Sequence, residues 1–271
     1  MIDVHTHLHP PRLFAAIRRW FAERSPWALE HQPTDPHEVA RVMREHGVEK
    51  FVFCSYAHKA GMARELNGWL AQTARDLGPG AFALATVHLD DPDPAGDMRA
   101  ALADGCIGLK VHENVQKLPL DDPRFGPVLD EVAAAEGFVL VHVGAIPWSD
   151  ETNDGPRRIA RVLTQHPTLR IVVAHFGVPD SQRYLDLAAR EPRLFLDTTM
   201  VFARESPMHR ALDRDAIARG ARQILYGTDW PNVPHAYDAE LRALQALDLD
   251  PAVLHAITSE NARGLSPALA S

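Results

Sequence analysis

Residues 2–7 read IDVHTH, and three later runs close in the same manner. FVLVHV at 138–143 carries His142, RIVVAH at 170–175 ends on His175, and ILYGTD at 224–229 ends on Asp229. Each is a short apolar run of strand length that delivers an imidazole or a carboxylate near its C-terminal end. Strands this far apart in sequence meet at one face only if nearly the whole chain closes into a barrel, with the chemistry on its C-terminal rim.

The remaining chain fits that expectation. Strand-like runs at 2–7, 50–55, 82–88, 106–112, 138–143, 170–175, 194–198 and 223–229 alternate with helical patterns. The helical patterns lie at 35–46, 62–77, 93–103, 123–135, 156–165, 180–190, 208–219 and 237–246, and a last one at 251–263 closes the chain. Eight strands, each followed by a helix, predict an α/β fold of the (β/α)8 TIM-barrel type. It is read as a single domain over residues 1–271, with a longer insertion after the first strand at 8–34. That insertion, PRLFAAIRRWFAE followed by SPWALEHQP, is expected to form a short helix and an irregular loop over the barrel mouth. A doubly wound dinucleotide fold would want G-x-G-x-x-G after the first strand, where this chain has HTHLHPP.

Composition narrows the partners. At 46% hydrophobic and 24% charged, the 271 residues have material for a large core. A formal net charge of −8 argues against a nucleic-acid backbone and leaves a small-molecule substrate as the expected partner. Cys54 and Cys106 lie in apolar runs without Cys-x-x-Cys spacing, which suits a reducing cytoplasm. The first strand begins at residue 2, leaving no room for a signal peptide, and no apolar stretch approaches the ~18–20 residues of a membrane span.

Alternate side chains of a strand share a face. Asp3, His5 and His7 are therefore expected on one face, with Ile2 and Val4 on the other, so that two imidazoles bite one cation. His142, His175 and Asp229 are expected to turn inward from their own strands. Taken singly, each is an ordinary core-edge residue; their repeated position makes them a site. His9 completes an H-x-H-x-H run, but Pro10 and Pro11 are expected to turn the chain away. Imidazole with carboxylate suits Zn²⁺ best, ahead of Mn²⁺, Co²⁺ or Fe²⁺. With one coordination position open, such a metal lowers the pKa of a water from about 15.7 to roughly 7.

The order H-x-H, then His, His and Asp at later strand ends, resembles the amidohydrolase superfamily of metal-dependent barrel enzymes. Within it, the chain is similar to the amidohydrolase-related branch that includes aminocarboxymuconate semialdehyde decarboxylase. The segments carrying the resemblance are MIDVHTHLHP, GLKVHENVQKLPLDDPRF, GFVLVHVG, IVVAHFG, LFLDTT, ILYGTDWP and ENARGL. The resemblance implies that His5, His7, His142 and Asp229 coordinate one divalent metal, and that His175 and Asp229 act in catalysis. It also implies Asp3 as a partner behind the ligands that orients an imidazole, a role physics favours for a carboxylate on that face. If two metals bind, His175 joins as a ligand. Members of the family often associate, so a homodimer is the family expectation.

Lys110 decides the metal count. The run CIGLKVH puts Gly108, Lys110 and His112 on one inward face, where a lysine is costly unless paired or modified. In binuclear relatives a carboxylated lysine from this strand bridges two metals. The alternatives are an ammonium that anchors a substrate carboxylate or pairs with an acid at the rim. The mononuclear reading is favoured, because the branch it resembles often carries this lysine without using it as a bridge.

Loops after the strands select the substrate. His112 comes first, turned inward by its register, followed by Trp148, Arg204 and Trp230. Lys59, Arg204 and Arg18 form a cationic set that would suit an acidic substrate, and Phe14, Arg18, Trp20 and Trp27 would serve in a lid. The reading favoured is a hydrolase using metal-activated water on an amide, lactone or ester carbonyl. The alternative is a nonoxidative decarboxylase acting on an unsaturated or aromatic acid, which needs a cationic carboxylate anchor. A noncatalytic barrel with a structural zinc ranks third.

Overall fold

A computed structural model describes residues 1–25, 27–29, 32–144, 154–211 and 213–271. Its strands are β1 (Ile2–His7), β2 (Lys50–Cys54), β3 (Ala81–Ala83), β4 (Gly108–His112), β5 (Phe138–His142), β6 (Arg170–Val173), β7 (Leu194–Asp197) and β8 (Ile224–Leu225). All pair in parallel and in chain order. The β1–β3 and β4–β8 ladders join at Ala85, whose N–H donates to Gly108 O and whose carbonyl accepts from Lys110 N–H, both at 2.8 Å. The ring closes where Val4 N–H donates to Tyr226 O (3.0 Å) and Asp229 N–H donates to His5 O (2.7 Å). The result is a (β/α)8 barrel.

Local chemistry sets the helix starts. Asp-Pro pairs open several helices: Asp35 accepts from the N–H of His37 and Glu38, Asp93 from Gly96 and Asp250 from Ala252. The proline behind each takes the first helical position, where a missing N–H costs nothing. Val4, Val52, Leu84, Leu140, Val172, Phe195 and Leu225 fill the barrel interior, joined by Ala262, Leu265 and Leu269 from the C-terminal segment. The alternate residues, among them Phe51, Phe53, Val111, Val139 and Val141, pack outward against helix residues such as Leu66, Leu70 and Val132.

Strict alternation fails in β1. Asp3 pairs with Phe51 but Thr6 pairs with Phe53, so the register shifts between them. Ile2 and Val4 point into the barrel, Asp3 lies on the outer side with Phe51, and the extra residue returns His5 to the inner face ahead of His7. A one-residue bulge does this by adding a residue without a partner. Two strands fall well short of their apolar runs because side chains replace the ladder. Asn67 holds both backbone groups of Thr86 (2.8 and 2.9 Å), ending β3 early. The Thr198 hydroxyl accepts from Gly227 N–H (3.1 Å) and donates to Gly227 O (3.0 Å), ending β8. The helix expected from 208 begins instead at Arg214, where Asp213 caps it by accepting from Asp215 N–H.

The insertion forms a helix over Pro11–Arg24, and its Phe21, with Trp27 beyond it, reaches the barrel mouth. The segment after β7 is held by Glu240, fully buried on the helix Ala239–Gln245. Its Oε2 accepts from the N–H of Phe202 (3.2 Å) and Ala203 (3.1 Å). Burial lifts the Glu240 pKa to about 8, against the pull of those two N–H groups. The folded protein thus holds a proton that the unfolded chain has released above its ordinary value near 4.5. Stability contributed by this group falls as pH rises from there towards 8 and levels beyond. Glu240→Gln is expected to remove that slope, so chemical denaturation at pH 5, 7 and 9 should show the variant gaining on the wild type with rising pH; parallel profiles would contradict the assignment.

Candidate metal centre and active site

Five strand ends and two strand-interior positions supply the site. β1 brings His5 and His7, β4 brings Lys110 and His112, and β5 brings His142 in register with His112. His175 and Asp229 follow β6 and β8, each in the left-handed region, at φ 55° and 60°. Such a conformation costs roughly 1–3 kcal/mol for a non-glycine residue and turns its side chain back over the rim. Backbone approach is close here: a Cβ on Gly227 would lie 3.1 Å from His5 Cβ.

The imidazoles are oriented from behind. His5 Nδ1–H donates to Asp197 Oδ2 at 2.8 Å, and His7 Nδ1–H to Cys54 O at 3.2 Å. His175 Nδ1–H donates to Thr199 Oγ1 at 2.8 Å, and the Thr199 hydroxyl donates to Asp197 Oδ1 at 2.6 Å. His5 and His175 are thereby left with Nε2 as the lone-pair nitrogen, while His7 Nε2 faces Asp229. Asp229 Oδ1 lies 2.9 Å from His7 Nε2 and 3.2 Å from His5 Nε2. The Lys110 ammonium donates to the same His5 Nε2 at 2.8 Å. His142 stacks flat on His112 (4.0 Å, 13°) and stands edge-on to His175 (4.7 Å). Its Nε2 is buried with no hydrogen-bond partner among the described residues.

Charge follows from burial. Burial, then Lys110, holds His5 well below the usual imidazole range, and burial, then His112 and His175, does the same to His142. His175 is lowered chiefly by burial. Burial opposes ionisation of Asp229, yet His7 and His5 hold it far below the usual carboxylate range. For His7 burial acts downward, but Cys54 and Asp229 move it up to about 9. The spot between His7 and Asp229 therefore favours a positive charge. Neutral His5, His142 and His175, with the His142 Nε2 orphaned, and a place for positive charge between His7 and the ionised Asp229 are a donor set that fits a divalent metal of the zinc or manganese type. Cys54 also clusters with His5 and His7, but its Sγ sits 3.6 Å from His7 Nδ1, the nitrogen turned away from Asp229.

His7, Lys110, His112, His142, His175 and Asp229 line one small cavity, with Tyr56 and Asn232 beside them. Phe21, Trp27, Met200 and Met208 form its outer wall. Of the expected substrate residues, His112 lines it. Trp148 lies outside the described residues. Arg204 is exposed and lines a separate surface pocket with Arg210 and Arg242. Trp230 is 3% exposed, packs edge-on against Tyr237 and is absent from the cavity wall. It contributes its backbone, because its carbonyl accepts from His7 N–H at 2.9 Å. Lys59 is exposed. Asp3 touches no imidazole: it accepts from the backbone N–H of His5 (3.1 Å) and from the hydroxyls of Thr228 (2.8 Å) and Tyr237 (3.0 Å). The bulge explains this, since it places Asp3 on the outer side of β1.

Asp197 takes the orienting place expected of Asp3. It was legible by the rule that found the histidines, for it closes the apolar run LFLD. Thr199, Phe21, Met200 and Met208 carry no such signal.

The barrel with this rim belongs to a known class. The sequence profile of the amidohydrolase family matches residues 2–265, and the chain belongs to that family. No curated protein sequence matches it significantly. Among solved structures it is similar to a 5-carboxyvanillate decarboxylase from Sphingomonas paucimobilis, with 17% identity, 98% of each chain covered and a TM-score of 0.72. The enzyme of the same name from Novosphingobium aromaticivorans, complexed with manganese and 4-hydroxy-3-methoxy-5-nitrobenzoic acid, is 16% identical over 97% of this chain and 94% of that one, at TM-score 0.71. A probable 2-pyrone-4,6-dicarboxylic acid hydrolase from Acinetobacter baumannii, with citric acid bound, is 16% identical over 97% and 98%, at TM-score 0.66. At these identities the likeness is one of fold. No helix among the described residues is long and apolar enough to cross a membrane.

Removing a carboxylate that orients a ligand histidine typically weakens metal binding 10–100-fold. Asp197→Ala is expected to lose about that much Zn²⁺ affinity in a chelator competition, with its circular dichroism retained; unchanged affinity would show that His5 is oriented without it.

Proposed function

We propose that this chain is a metal-dependent hydrolase acting on the carbonyl of a neutral amide, lactone or ester. His5, His7, His142 and Asp229 would hold one divalent metal, Zn²⁺ first and Mn²⁺ second. The carrying observation is the convergence of His5 Nε2 and His7 Nε2 on Asp229 Oδ1, at 3.2 and 2.9 Å, with each ring's far nitrogen already engaged. When bound, such a metal polarises a carbonyl and brings water ionisation near neutrality.

The chain's own residues supply the proton handling. Asp229, ionised and facing the cavity, accepts the proton given up by the attacking water. His175, its Nδ1–H donated to Thr199, keeps Nε2 free to take a proton and pass it to the leaving group. Phe21 and Trp27 limit water access from above. Lys110 holds positive charge where the donor atoms meet and yields His5 Nε2 to the metal. The same reading implies one catalytic domain spanning residues 1–271, working in the cytoplasm on a small molecule, with no membrane or nucleic-acid partner and as a homodimer by family expectation.

Decarboxylation is the second reading. The fold shared with 5-carboxyvanillate decarboxylases and the aromatic wall of Phe21, Trp27 and Tyr56 favour it. Against it stands charge: Lys110 is the one Lys or Arg among the described residues lining the cavity, so a substrate carboxylate would meet a single side-chain cation.

A panel of amides, lactones and aromatic acids on zinc- and manganese-loaded protein separates the two. Hydrolysis of a neutral member is expected, falling about a thousandfold in Asp229→Asn with the fold intact. Release of CO₂ from an aromatic acid without any hydrolysis would overturn the reading.

A further inference from the structure

Asn232 lies just beyond the GTDWP turn, is 5% exposed and lines the same cavity as His7, His175 and Asp229. Its backbone is fixed without help from its side chain. The N–H donates to Asp229 O at 2.9 Å, and the carbonyl accepts from Trp27 Nε1 at 3.4 Å. The side chain is set by His9, the third histidine of the H-x-H-x-H run. That ring lies parallel to His7 (5.5 Å, 15°), with Nδ1 2.9 Å from Ser55 Oγ and Nε2 3.3 Å from Asn232 Nδ2. The amide N–H donated to His9 Nε2 assigns the His9 proton to Nδ1, where it is donated to Ser55. Asn232 Oδ1 is left on the opposite side of the amide, buried and without a donor among the described residues.

A buried carbonyl oxygen with no donor costs free energy that a ligand recovers by supplying one. We propose, resting on the hydrolase reading, that Asn232 Oδ1 receives an N–H adjacent to the carbonyl under attack. The substrate class is then an N–H amide, such as a secondary amide, lactam or ureide. An ester or lactone of the same shape would set a second acceptor against Oδ1 and leave both unpaired. Sites built around a hydrogen bond reject analogues that lack it far more strongly than apolar pockets reject a change of size. Asn232 is thus the residue that separates amide from ester, positioned by His9 and Ser55.

Binding separates this from the metal reading. Acetohydroxamic acid and N-methylacetohydroxamic acid chelate through the same two oxygens and differ in one N–H. Calorimetric titration of the zinc-loaded protein is expected to give acetohydroxamic acid about five- to tenfold tighter binding. Asn232→Asp, which keeps an acceptor, should retain the preference, and Asn232→Leu, of equal size without one, should lose it. Equal affinities in the wild type would overturn the proposal whether or not the variants fold. Persistence of the preference in Asn232→Leu would overturn it too, assigning the difference to the bulk of the methyl group. If neither compound binds the zinc-loaded protein, the metal reading fails and the proposal falls with it.

Discussion

The Asp197 carboxylate holds the rim together. It accepts from four donors: His5 Nδ1 on one oxygen, and His175 N–H, Thr199 N–H and the Thr199 hydroxyl on the other. Those partners sit on β1, on the turn after β6 and just beyond the end of β7, so a single fully buried group sets three parts of the mouth. It also selects tautomers. Nδ1–H of His5 is committed directly, and that of His175 through Thr199, so both rings present a lone pair to the proposed metal site. Burial raises the pKa of this carboxylate, and the hydrogen bonds from His175 and Thr199 oppose the rise. A buried carboxylate is tolerable only with its acceptor sites filled, as they are here.

Much of this was legible in the sequence, for reasons of geometry. A barrel repeats one unit, so a ligand type at the end of an apolar run means the same thing at His142, His175 and Asp229. The insertion helix was legible from composition. Asp3 was not, because the bulge in β1 depends on that strand pairing at once with β2 and with the residues after β8, which alternation within one strand cannot encode. Arg204 and Trp230 were misplaced for a related reason. Position after a strand end fixes the start of a loop but not the direction it takes. At Asp229 the backbone enters the left-handed region, and Trp230 beyond it packs against Tyr237.

Charge bears on the proposed preference for a neutral substrate. The chain carries a net charge of −8, and among the described cavity-lining residues the one lysine or arginine is Lys110, bonded to His5 Nε2. On the proposed metal reading that bond is given up when His5 takes the ion, which leaves one side-chain cation for an acidic substrate and none needed by a neutral carbonyl compound. The contact also bears on metal number. On that reading the ammonium donates to His5 Nε2 until one metal takes the nitrogen's lone pair. A second metal would require the lysine to lose its charge altogether, by carboxylation.

The metal content of the purified protein tests the central claim most directly. One equivalent of zinc or manganese per chain is expected, removable by chelator without unfolding and lost in His142→Ala. No bound metal would contradict the account, as would two equivalents of which one disappears in Lys110→Ala.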